Sequence, residues 1–189
     1  MSVFTNPADG AAADAENYIR ATLELLGDRD PLAVLDETPG WLQERAEHLG
    51  HELLTRPEAP GKWSIAATMQ HLADSELVWG YRLRMVLAED RPSLSGYDQD
   101  RWADRLHYDA ADAWQAAADF AVLRASNRRL LGAASEDDLE RVSVHSERGE
   151  ESVRHMIRLY AGHDLVHRNQ IERIKGSQEK RGHHHGHRC

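Results

Sequence analysis

The segment from Val153 to Ile174 constrains this chain most, because its apolar residues recur at the spacing of a helix that faces a core. Val153, Met156, Ile157, Tyr160, Ile171 and Ile174 fall on one side. At about 100° per residue, His163 and His167 lie about 40° apart on that same side. Two imidazoles one turn apart and aimed inward can hold one metal ion from a single helix. A third ligand must then come from another helix, and His71, in K-W-S-I-A-A-T-M-Q-H-L-A-D-S-E, is the best candidate. By the helical wheel His71 sits at the edge of its own apolar stripe, about 100° from the centre. Without a metal, two core-facing histidines need backbone or carboxylate partners.

The rest of the chain divides into helices. Residues 1–10 read as a loose leader. Ala11 to Leu26 reads as a helix closed by Gly27, and Pro31 to Leu35 as a short turn. Thr38-Pro39 reads as a restart, a capping residue followed by proline at the first helical position, with a helix to about Leu54. Arg56 to Trp63, with two prolines and a glycine, is a loop. Ser64 caps a long helix to about Ala88 with a stripe of Ile65, Met69, Leu72, Trp79, Leu83 and Val86. Glu89 to Tyr108 reads as a crossover with short helical turns at most. Asp109 and Asp112 start the next helix, through Trp114, Phe120 and Leu123 to Leu131, and Ala134 to Gly149 connects it to the histidine helix.

The expected fold is therefore all-α, a four-helix bundle with an extra N-terminal helix. Its two long connections permit parallel neighbours. The expected domain spans 11–175, followed by a disordered histidine-rich tail at 176–189. That tail contains His183, His184, His185 and His187, which can bind metal as any such tract does.

Charge and composition exclude several functions. With 189 residues and a formal charge of −9, nonspecific binding to nucleic acid phosphate is not expected. The only cysteine is Cys189, so nothing implies a disulfide or a thiol nucleophile. There is no basic region leading into an apolar run at the start, and no apolar stretch of about 20 residues. A cytoplasmic protein is expected.

Several other residues carry chemistry in principle. The residue after His163 is Asp164, not the glutamate of a zincin protease, and the downstream third ligand is missing. Glu76 lies inside an apolar stripe near Leu72 and Trp79. It could be a hydrogen-bond acceptor for a ligating histidine, a general base near bound water, or a helix-to-helix salt bridge. His48 and His51 read as surface residues, His107 as part of the crossover, His145 as a loop residue, and His155 points away from the histidine stripe. Trp63, Trp79, Trp102, Trp114 and Tyr160 read as packing residues.

Three stretches resemble the DinB-like metal-binding four-helix bundles, and within them the subgroup named for metal-dependent hydrolysis. They are P-G-K-W-S-I-A-A-T-M-Q-H-L-A-D-S-E from Pro60, G-Y-D-Q-D-R-W-A from Gly96, and H-S-E-R-G-E-E-S-V-R-H-M-I-R-L-Y-A-G-H-D-L-V-H-R-N-Q-I from His145. The resemblance implies that His71, His163 and His167 are metal ligands, with zinc or nickel at the site, open coordination positions and a homodimer. It also implies either hydrolysis or transfer of a low-molecular-weight thiol, with a small molecule as substrate. Beside such a site, Glu76 and Asp164 are the candidates from the residues themselves to support a ligating histidine or to act as base. The rival expectation is a non-enzymatic metal-binding or stress protein with a structural ion, and a third is a dimeric interaction module.

Overall fold

The computed structural model describes residues 11–184. Eight helices run in the order α1 (Ala11–Leu26), α2 (Pro31–His48), α3 (His51–Thr55), α4 (Ile65–Ala88), α5 (Gln99–Arg105), α6 (Ala113–Ala133), α7 (Glu136–Leu139) and α8 (Val153–His184). Three short strands join them: β1 (Ser93–Leu94), β2 (Val142–His145) and β3 (Gly149–Ser152). The expected leader at 1–10 lies outside the described residues.

Local chemistry sets most of the boundaries. Gly27 takes φ +55° and its N–H returns to the Leu23 carbonyl, closing α1. The Asp30 carboxylate accepts from the Leu32 N–H at 3.1 Å, with Pro31 at the first position of α2. Ser64 and Asp112 accept from the N–H groups of Ala67 and Gln115 to open α4 and α6.

One expectation is corrected here. Thr38-Pro39 does not start a helix, because α2 runs through it from Pro31 and stops at His48, with α3 following separately. Proline inside a helix removes the N–H that would bond the carbonyl four residues earlier. That carbonyl belongs to Leu35, and it accepts instead from Arg124 Nη1 at 2.8 Å. Thr38 is buried and donates back to the Val34 carbonyl, at 3.0 Å. The interruption is thus satisfied from a neighbouring helix.

Helices α2, α6, α4 and α8 pack in a ring, each on the next, and α1 lies along α8. Side-chain pairs fix their directions. Glu76 meets Arg124 and Arg84 meets Ser126, so α4 and α6 run parallel. Arg45 meets Glu172 and Glu37 meets Arg168, so α2 and α8 are also parallel. The order is up, down, down, up, and a parallel step between α4 and α6 requires the crossover that carries β1 and α5. Strands were not expected in either connection. β1 pairs parallel with β2, Ser93 opposite Val144, and β2 pairs antiparallel with β3 through a turn at Glu147 and Arg148. Gly149, at φ +80°, completes that turn in a backbone region that side chains disfavour.

The core is split in two. One apolar cluster holds Leu42, Ile65, Met69, Leu72, Phe120, Ile171 and Ile174, and the other holds Leu35, Trp79, Leu83, Leu131, Met156 and Tyr160. Between them along α4, α6 and α8 lie Glu76, Arg124, Asn127, His163, Asp164 and His167, all buried. A polar layer therefore crosses the middle of the bundle.

The disordered tail expected from residue 176 is helical as far as His184, and residues 185–189 lie outside the description. Gln178, only 2% exposed, donates to the carbonyls of Arg56 and Pro57 at 2.8 and 3.0 Å and docks the extension onto the α3–α4 loop.

Candidate metal centre

His71 from α4 and His163 and His167 from α8 converge in the polar layer, with 1%, 2% and 5% of their surface exposed. The edge position of His71 on the wheel does not keep it outside. α4 is packed on several sides, so Ala67, Thr68, His71 and Ser75 are buried as well as the apolar stripe. His163 Nε2 lies 3.4 Å from His71 Nε2 and 3.1 Å from His167 Nε2. One donor atom from each of the three rings falls within 4.8 Å of the others. A tetrahedral ion with bonds of about 2.0–2.1 Å separates its ligand nitrogens by about 3.3–3.4 Å. The imidazoles already stand close to that spacing.

Protonation favours the same use. Burial holds His71 and His163 well below the ordinary imidazole range, with neighbouring imidazoles acting in the same direction. Burial likewise brings His167 down to about 4, partly opposed by its hydrogen bond to Gln170. Neutral imidazole is the form that ligates a metal. His167 Nδ1 sits 2.7 Å from Gln170 Oε1, an acceptor that places the proton on Nδ1 and leaves the Nε2 lone pair facing the other histidines. Gln170 lies three residues after His167, on the same helical face, a spacing that could have marked it in the sequence.

His167 and Gln170 form part of the wall of an open cleft of about 1170 Å³, together with Trp63, Gln99, Tyr108 and Arg173. The Trp63 ring tilts over His71 with centroids 5.1 Å apart, and Tyr108 meets its other edge at 5.9 Å. Burial, followed by a hydrogen bond to Asp74, pushes the Tyr108 hydroxyl far above its ordinary range, so it stays a donor to that carboxylate.

Glu76 and Asp164, the base candidates, are both engaged by Arg124. The guanidinium gives Nε and Nη2 to Glu76 at 2.9 and 3.0 Å, and Nη1 and Nη2 to Asp164 at 2.8 and 2.9 Å. With the Leu35 carbonyl, all five of its N–H donors are used. Asn127 adds a 2.9 Å bond to Glu76. Of the three uses weighed for Glu76, this is the geometry of the helix-to-helix salt bridge, and it ties α2, α4, α6 and α8 directly beside the histidines. Burial raises the Glu76 carboxyl while Arg124 draws it back. Arg124 could have been found from the stripe Phe120, Arg124, Asn127, Leu131, which places a cation on the buried side of α6.

The other histidines part company. His48, His51 and His107 are exposed. His145 is not in a loop but in β2, buried, and its Nδ1 accepts from the N–H groups of Glu147 and Arg148 at 3.1 and 3.3 Å. Trp79 is buried and stacks on Tyr160 at 4.5 Å, whereas Trp114 is half exposed.

A family model described as the DinB superfamily matches residues 35–171. A protein of Oceanobacillus iheyensis named "Putative metal-dependent hydrolase" is 28% identical over 136 residues, covering 70% of this chain and 77% of that protein. A protein of the same name from Bacillus licheniformis is 25% identical over 183 residues, covering 96% and 95%. The solved structure of YfiT from Bacillus subtilis, described as "a probable metal-dependent hydrolase with an unusual four-helix bundle topology", superposes with a TM-score of 0.69. It is 24% identical, and the match covers 77% of this chain and 86% of that one.

Proposed function

This chain belongs to the DinB superfamily, and from that premise we propose that it is a metal-dependent enzyme acting on a small molecule in the cleft beside His167. The observation that carries the reading is the set of three buried imidazoles with Nε2 separations of 3.1 and 3.4 Å beside that cleft. Among the described residues the donor set has three members, so a four-coordinate ion keeps a position for water or substrate. A closed structural site would need a fourth protein donor, and this favours the enzyme over the structural-ion reading.

His71, His163 and His167 would hold the ion, with zinc or nickel the metals that suit imidazole donors. When bound, such an ion supplies Lewis acidity and lowers the pKa of a bound water or thiol. The protein contributes the rest. Gln170 fixes the His167 tautomer, Trp63 covers the His71 ring, and the Arg124 network holds α4 and α8 in register so that the imidazoles meet. Hydrolysis is the reaction to test first, since relatives carry that name. Transfer of a low-molecular-weight thiol uses the same open position. A homodimer in the cytoplasm completes the proposal.

The test is elemental analysis of protein in which His183, His184, His185 and His187 are replaced by serine, beside a His163→Ala variant of it. Removing everything after Ile174 would strip away the docked Gln178, so substitution is the better control. Near-stoichiometric zinc or nickel in the first protein and none in the second supports the reading, and esters and thiols are then assayed with that metal. A protein that neither carries nor takes up either ion overturns it.

A further inference from the structure

We propose that Gln99 is a specificity residue whose carboxamide binds the N–H and C=O of one extended peptide unit in a ligand seated in the metal cleft. This deepens the enzyme reading above and takes from it only the shared cleft. Gln99 is the first residue of α5 and is 3% exposed. It is not needed to cap that helix, because the Asp98 carboxylate accepts from the Arg101 N–H at 3.1 Å. Its Oε1 is buried without a hydrogen-bond partner, and its amide nitrogen has none among the described residues. Its side chain nevertheless forms part of the cleft wall with His167, Gln170 and Tyr108.

Buried amides in folded proteins are ordinarily paired. Two other glutamines are at least partly paired: Gln178, which does not line this cleft, gives its amide nitrogen to two carbonyls while its Oε1 is buried without a partner, and Gln170 Oε1 meets His167 Nδ1. Gln99 alone of the three combines a buried side-chain oxygen without a partner with a place in the wall of the metal cleft.

The chemistry of the partner follows from that carboxamide, which carries both a donor and an acceptor. Carboxylates and phosphates only accept, so they leave Oε1 unpaired, and an ammonium only donates, so it leaves the amide N–H unpaired. A residue in extended conformation shows its N–H and C=O to the same side, which is how strands exchange paired bonds. A side-chain carboxamide matches that edge with one bond each way. The substrate class is thus an acylated amino acid or short peptide derivative whose peptide unit lies against Gln99 while another of its groups reaches the histidines.

The probe is N-acetylglycine N-methylamide, which carries one such unit, titrated into metal-free protein and followed by ¹⁵N–¹H spectra. The side-chain NH₂ pair of Gln99 is identified as the pair missing from Gln99→Leu. We expect the probe to move that pair in the parent. We expect its affinity to fall about tenfold in Gln99→Leu, the scale of losing neutral hydrogen bonds to a ligand. The N-methylated analogue without N–H groups should leave the pair unmoved. Gln99→Glu keeps the volume and loses the donor, and should weaken binding by a similar factor in protein that circular dichroism shows to be folded, so the test survives if the leucine variant does not fold. No movement of the pair up to the solubility of the probe, equal binding by the N-methylated analogue, or unchanged affinity in both variants would overturn the inference. Metal-free protein makes this outcome independent of metal uptake: probe binding without metal loading would sink the enzyme reading alone, and metal loading without probe binding would sink this one alone.

Discussion

Replacing Arg124 by methionine keeps most of the aliphatic stem and removes the cation from the polar layer. Two carboxylates, Glu76 at 2% and Asp164 at 1% exposure, then lose their shared partner, and the Leu35 carbonyl freed by Pro39 loses its donor. Breaking a buried ion pair from one side costs about 3–5 kcal/mol, because the remaining charge stays desolvated. Unfolding entropy of about 2.1 cal/mol/K per residue over 189 residues gives about 0.4 kcal/mol/K, so a loss of about 4 kcal/mol lowers the midpoint by about 10 °C. The loss should also depend on pH. Burial raises the Glu76 carboxyl and Arg124 opposes it, so without Arg124 the folded carboxyl titrates well above its unfolded value. A raised carboxylate pKa means that the folded variant holds a proton the unfolded chain releases. Its deficit against the parent is therefore largest at high pH and shrinks as pH falls through the folded pKa. The assay is urea or thermal unfolding of both metal-free proteins, followed by circular dichroism at several pH values between about 5 and 8. A deficit below about 1 kcal/mol, or one constant across that range, would refute the claim that Arg124 neutralises desolvated charge.

Four further outcomes follow from particular contacts. A Cβ on Gly162 would lie 2.6 Å from both the Thr22 methyl and the Thr22 carbonyl oxygen, so Gly162→Ala should cost about 1–3 kcal/mol by pushing α1 from α8. Gly176→Ala, on the same helix with nothing within 4 Å, should instead stabilise by about 0.5–1 kcal/mol, and calorimetry on the pair checks both signs. Gln178→Ala removes the donor to the Arg56 and Pro57 carbonyls, and should cost about 1 kcal/mol and strip hydrogen-exchange protection from 176–184 while the bundle keeps its own. Burial depresses His145 to about 3, so the unfolded chain takes up a proton near its ordinary value that the folded chain refuses. Its contribution is complete above about pH 6.5 and is lost as pH falls toward 3, at up to about 1.4 kcal/mol per pH unit. His145→Asn should flatten that slope in acid unfolding curves, and an unchanged slope would rule the histidine out as its source.

Much of this architecture was legible in the chain. The apolar period of Val153–Ile174 and the cap at Ser64 each depend on residues close in sequence, and local hydrogen bonds and one-sided burial are enough to express them. His71 was already the candidate third ligand for His163 and His167, the resemblance of three stretches to a metal-binding bundle implied the same set, and the structure brings all three rings together. Other features needed partners far along the chain. Thr38-Pro39 has the local chemistry of a helix start, yet α2 runs through it because Arg124, 89 residues from Leu35, satisfies the freed carbonyl. β1, with two residues, exists only because β2 lies alongside it. Residues 176–184 look like a solvated tail until Gln178 finds two loop carbonyls. Glu76 could be read as base, acceptor or ion-pair partner until α6 set a guanidinium against it. Sequence alone thus determined which surfaces had to be buried, since periodicity and caps act within a few residues. Tertiary structure decided which buried polar groups face one another, because each buried donor or charge must be met by whichever helix packing brings within about 3 Å.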